Sequence, residues 1–263
     1  METANISKVI DNIARNAEKR ASAGAEDYTG DDGLLYCGRC HTRKQCSHTL
    51  WGKTRIVDCV CKCEKERIGK EEAAEKAAEQ RRRRKADAFR NNARAKDMLF
   101  SKSTIETDAM RAARDYAANL AEKIETGTGR IFAGDKGTGK TFAATCIVNY
   151  ALECGYSCKA TSFTEIEREM SVPYANKKEI MDRLANYDLI MLDDLGVERN
   201  TSYMQQLVYE VIDTLYKAKR ALLITTNLTQ EELSTRGGDA GRIYERILED
   251  SDIVECNGES LRI

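Results

Sequence analysis

A glycine-rich loop between a strand-like and a helix-like segment constrains the fold of this chain more than any other feature. Residues 130–134 (RIFAG) are apolar and of strand length, residues 134–141 read GDKGTGKT, and a helical run follows. This order matches the pattern G-x-x-x-x-G-K-[ST] in the strand–loop–helix context that the pattern requires. It predicts an α/β fold with a phosphate-binding loop. The alternative is a Gly-rich turn without a ligand.

The residue types of this loop suit a nucleotide. Glycines let the backbone curl so that successive N–H groups point at phosphates, and the following helix adds its positive dipole end. Lys140 would reach the β- and γ-phosphates, and the Thr141 hydroxyl would be a ligand of Mg²⁺. The expected contacts of the nucleotide are Gly134, Asp135, Lys136, Gly137, Thr138, Gly139, Lys140 and Thr141.

A second apolar run ends in two carboxylates. Residues 187–193 (YDLIMLD) precede Asp194, and buried strands of α/β sheets present ligands at their carboxyl ends. We expect Asp193 to lie beside Thr141 and to bind Mg²⁺ directly or through water. Asp194 would face the γ-phosphate and polarise the attacking water. Because Gly196 follows closely, an Asp-rich turn is the alternative.

A third apolar run, residues 220–226 (RALLITT), ends at Asn227. A polar side chain at this position could orient the hydrolytic water between Asp194 and the γ-phosphate. The alternative is an Asn that caps a turn before the helix that begins near Thr229.

Apolar runs alternate with amphipathic segments beyond about residue 105, which predicts a parallel sheet flanked by helices. The expected strands are residues 130–134, 156–162, 187–193 and 220–226. A chain of 263 residues holds one large or two modest domains, and its net charge of −1 gives no sign of a nucleic-acid partner. We find neither a membrane span nor a signal peptide, so we expect a cytoplasmic protein.

Cysteines are concentrated in one short segment, residues 31–63. This segment is too short to build a hydrophobic core that would stabilise it without a cross-link such as a metal ion. Two close pairs of thiolates would form the chelating half-sites of a tetrahedral Zn²⁺ ion. Cys37 and Cys40 form the first pair, and the candidates for the rest of the site are Cys59, Cys61, Cys63, Cys46 and His48. Buried free thiols are the alternative.

These motifs together resemble those of AAA+ ATPases, and more narrowly those of bacterial and phage replicative helicase loaders of the DnaC/DnaI type, close kin of the transposition helper IstB. The segments that carry the resemblance are residues 134–141, 188–194, TTN at 225–227, GRIYERILE at 241–249 and the C-terminal VECNGESLRI. The sequence LDDLG at 192–196 is also typical of that group. The cysteine segment is similar to the zinc-bearing N-terminal region of the same loaders.

The resemblance implies two domains. An AAA+ ATPase domain would span residues 105–263. Residues 1–104 would form a helicase-interaction region with a zinc module (31–63) and a charged connector helix (64–98). The resemblance also implies that Cys61 and Cys63 complete the zinc site, with Cys59 as the main competitor.

The resemblance also assigns roles to polar residues late in the chain. Asn227 would be the sensor-1 residue, and Arg246 would be the arginine finger. Arg242 is a second candidate for the finger, and Arg262 would be the sensor-2 residue. The finger would stabilise charge on the phosphoryl group bound to a neighbouring subunit. On a solvated helix the arginines would instead pair with Glu245 or Glu249. Many AAA+ proteins carry Glu where this chain has the shorter Asp194.

The implied function is an ATPase that uses ATP, Mg²⁺ and Zn²⁺ to load the replicative DNA helicase onto single-stranded DNA during replication initiation. The resemblance implies that it forms a homo-oligomer on binding ATP, DNA or helicase. An IstB-like ATPase that assists DNA transposition is the alternative, and the zinc module argues against it. A metabolic P-loop kinase is disfavoured because no lid-like, Arg-rich insertion is found. The intact Lys140, Thr141, Asp193 and Asp194 disfavour a zinc-dependent transcription factor with a vestigial ATPase.

Overall fold

The computed structural model describes residues 26–50, 52–90, 92–196, 201–235 and 245–261. The chain divides into two compact units, with the boundary between Ala78 and Glu79. Of the site residues expected from the sequence, Arg242 and Arg262 lie outside the described residues.

The first unit is built from two small antiparallel ribbons. Strand β1 (Tyr28–Thr29) pairs with β2 (Leu35–Tyr36), and β3 (Gln45–Leu50) pairs with β4 (Lys53–Asp58). Every residue of β4 is exposed. The buried residues described in this unit are Leu34, Cys37 and Cys61. Such a small apolar core does not stabilise a fold by itself, so this unit needs a cross-link such as a bound metal ion.

A long charged helix, α1 (Lys62–Ala88), spans the boundary between the two units in sequence. The sequence predicts a helix over residues 64–98, and the structure ends it at Ala88. Directly after this end, Phe89 is only 2% exposed, and the Asn92 side chain caps a short 3-10 helix. A continued solvated helix would expose Phe89, so the burial of this apolar side chain explains the difference.

The second unit holds a five-stranded parallel sheet with helices between its strands. Its strands are β5 (Gly129–Ala133), β6 (Cys158–Thr161), β7 (Leu189–Leu195), β8 (Ala221–Thr226) and β9 (Ser251–Glu255), arranged in space as β6-β7-β8-β5-β9. Its helices include α2 (Asp108–Ala118), α3 (Leu120–Thr126), α4 (Lys140–Glu153), α5 (Phe163–Met170), α6 (Lys177–Ala185), α7 (Ser202–Lys217), α8 (Gln230–Thr235) and residues 245–249.

The four strands expected from the sequence are confirmed, and β9 is an addition. It lies beside β5, with Ile253 paired to Ile131. It is short, and Asp252 and Glu255 flank its two apolar residues, so the sequence does not indicate a buried strand. None of the helices in the described part of the chain is long and apolar enough to cross a membrane.

Apolar side chains cover both faces of this sheet. Along β7, Leu189 and Met191 belong to the cluster that packs with α2 and α4, whereas Ile190 and Leu192 pack with α5, α6 and α7. Because both faces are buried, the strands are near-continuous apolar runs, as parallel strands usually are. Polar side chains can therefore gather at the carboxyl edge of the sheet, where α/β proteins place their ligands.

Candidate nucleotide site

The loop after β5 has the backbone shape of a phosphate cradle. Gly134, Gly137 and Gly139 have φ angles of 117°, 88° and 88°, which residues with a Cβ rarely adopt. Gly139 also caps the N-terminus of α4, so the positive end of the helix dipole faces the loop. Residues 134–141 thus have the conformation in which main-chain N–H groups surround an anion.

Lys140 lies inside this loop rather than in solvent. Its side-chain Nζ donates hydrogen bonds to the carbonyl oxygens of Gly134 at 2.9 Å and Asp135 at 2.5 Å. The residue is 6% exposed, so its ammonium group is largely desolvated. A positive charge held in this way inside the loop is suited to binding phosphate oxygens.

The first turn of α4 meets the acidic end of β7 through a direct contact. Thr141 Oγ1 donates a hydrogen bond to Asp193 Oδ1 at 2.9 Å, and Thr225 Oγ1 donates to the same oxygen at 2.5 Å. Burial raises the pKa of Asp193, while these two hydroxyls act in the opposite direction. A hydroxyl and a carboxylate in contact are oxygen ligands of the kind that Mg²⁺ takes in nucleotide sites, so the residues fit that ion.

A β-bulge separates the environments of the two neighbouring carboxylates. The pairing of β7 with β8 shifts between Leu192 and Leu195, and Asp194 has a φ angle of 58°. The Asp194 N–H donates to Thr225 Oγ1 at 2.9 Å. As a result Asp193 is half-buried against Thr141, whereas the Asp194 side chain is exposed at the edge of the sheet.

Asn227 follows β8 directly and is half-buried. It does not provide the cap of α8, because Thr229 and Glu232 form reciprocal hydrogen bonds at the start of that helix. Thr229 therefore caps α8, and the role of Asn227 stays a prediction.

Two contacts of the site were not predicted from the sequence. Thr225 Oγ1 donates to the Asp193 carboxylate and accepts from the main-chain N–H of Asp194, and its only sequence signal is a hydroxyl at the end of a buried strand. The second contact joins the phosphate loop to the chain after β9. There Asp135 N–H donates to the carbonyl of Cys256 at 3.1 Å, and Leu261 N–H donates to the carbonyl of Gly137 at 3.0 Å. These contacts align residues 256–261 with the phosphate loop.

Arg246 lies at the other end of the sheet. It shares a shallow cavity with Gly127, Lys219 and Asp250, which precede β5, β8 and β9. The strands are parallel, and five-residue β5 alone separates this edge from the loop by roughly 16 Å. The Arg246 side chain forms an ion pair with Asp213 of α7 and lies over the rings of Tyr209 and Tyr216. Its ion pair is therefore with α7 and not with Glu245 or Glu249, the partners expected on a solvated helix.

A four-sulfur cluster lies in the first unit. The Sγ atoms of Cys37, Cys40, Cys61 and Cys63 all lie within 4.8 Å of one another. Two of the separations are 3.4 Å for Cys61–Cys63 and 3.5 Å for Cys37–Cys63. Tetrahedral Zn²⁺ with Zn–S bonds of about 2.3 Å holds its sulfurs about 3.8 Å apart, so the cluster fits that ion.

The remaining ligand candidates lie apart from this cluster. Cys59 Sγ is 2.8 Å from Cys46 Sγ instead. His48 belongs to β3, opposite Arg55 of β4. Within the cluster, the Thr42 hydroxyl 3.0 Å from Cys40 Sγ is the main cause that lowers the pKa of Cys40 to about 5. Hydrogen bonding to the Cys61 side chain is the main cause that raises the pKa of Cys63 to about 12, and burial raises the pKa of Cys61. Binding of a metal to all four sulfurs would therefore release protons.

Known proteins resemble this chain in sequence. A family model described as IstB-like ATP binding protein matches residues 51–263. An uncharacterized protein of Escherichia coli K12, YdaV, is 27% identical over 168 residues, which cover 62% of this chain and 67% of that protein. The replicative helicase loader DnaC of the same strain is 28% identical over 162 residues, covering 60% of this chain and 64% of DnaC. The matches thus span about two thirds of each relative.

Solved structures share the fold of the second unit. The DnaC helicase loader has a TM-score of 0.54 and 19% identity, covering 63% of this chain and 99% of that one. DnaI has a TM-score of 0.52 and 22% identity, covering 62% and 90%. The replication initiator DnaA bound to AMPPCP and single-stranded DNA has a TM-score of 0.52 and 18% identity, covering 62% and 50%. The shared architecture is that of an AAA+ P-loop protein.

Proposed function

The chain belongs to the IstB-like ATP-binding family and has the fold of AAA+ ATPases, and from that premise we propose that it loads the replicative DNA helicase onto single-stranded DNA during replication initiation. The hydrogen bond of 2.9 Å between Thr141 and Asp193 supports the use of ATP, because it joins the two side chains that are suited to Mg²⁺. The helicase as partner is supported by the loader name of the DnaC relative.

The residues of the phosphate loop and those at the carboxyl edge of the sheet have different roles in the proposed hydrolysis of ATP. The N–H groups of residues 134–141 and the ammonium of Lys140 bind the phosphates of ATP. Thr141 and Asp193 would hold Mg²⁺, which would supply neutralisation of the phosphate charge. Asp194 accepts a proton from the attacking water or polarises it. Asn227 orients that water from the end of the neighbouring strand.

Arg246 acts on a neighbouring subunit in this proposal. Its place at the amino edge of the sheet keeps it away from the loop of its own chain, so any nucleotide that it touches belongs to another copy. The cation would stabilise the charge that develops on the phosphoryl group, as arginine fingers do. Arg262 is proposed as a sensor-2 residue, and the hydrogen bond of the preceding Leu261 to Gly137 supports that role.

The four-sulfur cluster is proposed to be a structural zinc site. Four thiolates leave no open position for a substrate, which is the arrangement of structural rather than catalytic zinc. Zinc would supply the stabilisation that the small core of the first unit lacks. We assign residues 1–104 to helicase binding and residues 105–263 to ATP binding and self-association.

A reconstituted loading reaction tests the proposal. The purified chain is mixed with the replicative helicase of the organism that encodes it, circular single-stranded DNA and ATP, and helicase bound to DNA is quantified after gel filtration. We expect loading with the wild-type chain and with Lys178→Ala, an exposed lysine of α6, but not with Lys140→Ala. Equal helicase binding to DNA with and without the wild-type chain would contradict the loader function.

Assistance of DNA transposition is the second candidate, and the match of the IstB-like family model to residues 51–263 favours it. The same preparation is assayed for ATP-dependent stimulation of strand transfer by a transposase encoded beside it. Stimulation of strand transfer without formation of a helicase complex would replace the loader by this function.

A further inference from the structure

Two cysteines of the first unit form a pair of their own. Cys46 lies in β3, Cys59 follows β4 directly, and their Sγ atoms are 2.8 Å apart. The register explains this proximity. Cys46 is opposite Val57, and Cys59 N–H donates to the carbonyl of Lys44 at 2.7 Å. Side chains two residues apart on a strand share a face, so both thiols point to one side of the ribbon.

The distance within this pair differs from those in the four-sulfur cluster. Two thiolates on one tetrahedral zinc ion lie about 3.8 Å apart, and sulfurs 2.8 Å apart are too close for that arrangement. A disulfide bond has a length of about 2.05 Å, so a shift of less than about 1 Å separates the pair from bond formation. The geometry suits a bond between the two sulfurs better than shared metal binding.

We infer that Cys46 and Cys59 are a redox modification site, a dithiol that low-molecular-weight disulfides such as glutathione disulfide convert reversibly into an intramolecular disulfide while the four-sulfur cluster keeps its metal. Both thiols are free and partly exposed, so a small oxidant can reach them.

The reaction balances with glutathione disulfide as the oxidant. One of the two cysteines attacks a sulfur of glutathione disulfide as a thiolate, which forms a mixed disulfide and releases one glutathione. The second cysteine then attacks the cysteine sulfur of that mixed disulfide, which closes the protein disulfide and releases the second glutathione. Two protons and two electrons pass from the protein to the oxidant, and reduced glutathione in excess reverses both steps.

The bond would act on the ribbon of β3 and β4. Every residue of β4 is exposed, so packing contributes little to holding this ribbon together. A covalent link between Cys46 and Cys59 closes a loop that contains β4 and all of β3 except Gln45, and it restricts the unfolded conformations of that loop. The oxidised form should therefore hold the register of β3 and β4 more firmly than the reduced form.

The experiment uses the full chain as purified with zinc. The protein is incubated with glutathione disulfide, free thiols are blocked with iodoacetamide, and tryptic peptides are analysed by mass spectrometry without reduction. Trypsin places Cys46 on peptide 45–53 and Cys59 on peptide 56–62. We expect these peptides to be linked, with the loss of two hydrogens, and the zinc content to remain unchanged.

Three variants assign the bond. Peptide 56–62 also contains Cys61, so Cys59→Ser is needed to show which of the two cysteines forms the link. Both Cys59→Ser and Cys46→Ser should abolish the link while the zinc content is retained. Cys154→Ser, which removes an exposed thiol of the second unit, should leave the link intact. A link that persists in Cys59→Ser, zinc release that accompanies oxidation, or separate glutathione adducts on Cys46 and Cys59 would each overturn the inference.

Discussion

Thr141 and Asp193 are separated by 52 positions in sequence, yet the hydroxyl of one donates to the carboxylate of the other at 2.9 Å. One side chain comes from the first turn of α4 and the other from the end of β7. Their contact therefore depends on the phosphate loop and the acidic edge of the sheet being placed together. The proposed hydrolysis of ATP rests on this junction.

Lys140→Ala should weaken ATP binding by about 10- to 100-fold, because a charge-assisted hydrogen bond to phosphate is worth about 1.5–3 kcal/mol. Titration calorimetry with ATP and Mg²⁺ measures the effect. Lys178→Ala removes a lysine of the same unit that lies outside the loop and should bind as the wild type does. Unchanged affinity of Lys140→Ala would remove this lysine from the nucleotide site.

Asp194→Asn should bind ATP normally and hydrolyse it about 10²–10⁴-fold more slowly, which is the usual contribution of general acid–base catalysis. The substitution preserves shape, and Asn tolerates the positive φ angle of 58° at this position about as well as Asp does. Phosphate release at saturating ATP measures the rate. Hydrolysis at the wild-type rate would exclude Asp194 as the group that activates water.

Thr225→Val should lower hydrolysis by about 10- to 100-fold, the range seen when partners of metal ligands are removed. Val is similar in shape but lacks the hydroxyl that contacts Asp193 and the Asp194 N–H. Thr226→Val is the matched control, because the Thr226 hydroxyl bonds the carbonyl of Leu195 and not a carboxylate. Both variants should lose stability, and only Thr225→Val should require more Mg²⁺ for half-maximal activity.

Local patterns were sufficient to predict much of the second unit. A buried parallel strand reads as a continuous apolar run, so β5, β6, β7 and β8 could be recognised one by one. The phosphate loop is also a local motif, since residues 134–141 supply its glycines, Lys140 and Thr141. Such features need no knowledge of distant pairing.

Other features depend on contacts between distant segments and could not be predicted in this way. The hydrogen bond from Thr225 to Asp193 requires β8 to lie beside β7 with a bulge at a defined place. Residues 256–261 reach the loop only because β9 pairs with β5. Every residue of β4 is exposed, so its sequence lacks the alternation that marks a half-buried strand.

Purified protein should contain about one zinc ion per chain, bound by the four-sulfur cluster. Replacing Cys37 and Cys40 together by Ser should release the metal and unfold residues 31–63, while ATP affinity in the second unit stays unchanged. Elemental analysis and titration calorimetry give both quantities.

Cys46→Ser is the control for this pair of substitutions, because its sulfur lies outside the cluster, beside Cys59. It should retain the full zinc content. Protein that carries no zinc when purified without chelators, or equal loss of zinc in Cys46→Ser, would contradict the assignment of the ligands.

Two copies of the chain share each site of hydrolysis in this proposal, and mixing two inactive variants tests whether they do. Lys140→Ala lacks a working phosphate loop but retains Arg246. Arg246→Ala retains the loop but lacks the arginine cation. An arginine finger raises the rate of hydrolysis by about 10³–10⁵-fold. Sedimentation first verifies that both variants fold and self-associate. Phosphate release should return in part when the two are mixed, since one interface then holds both an intact loop and an intact Arg246. Absence of any recovery in a mixture that still assembles would show that Arg246 does not serve the site of a neighbouring subunit.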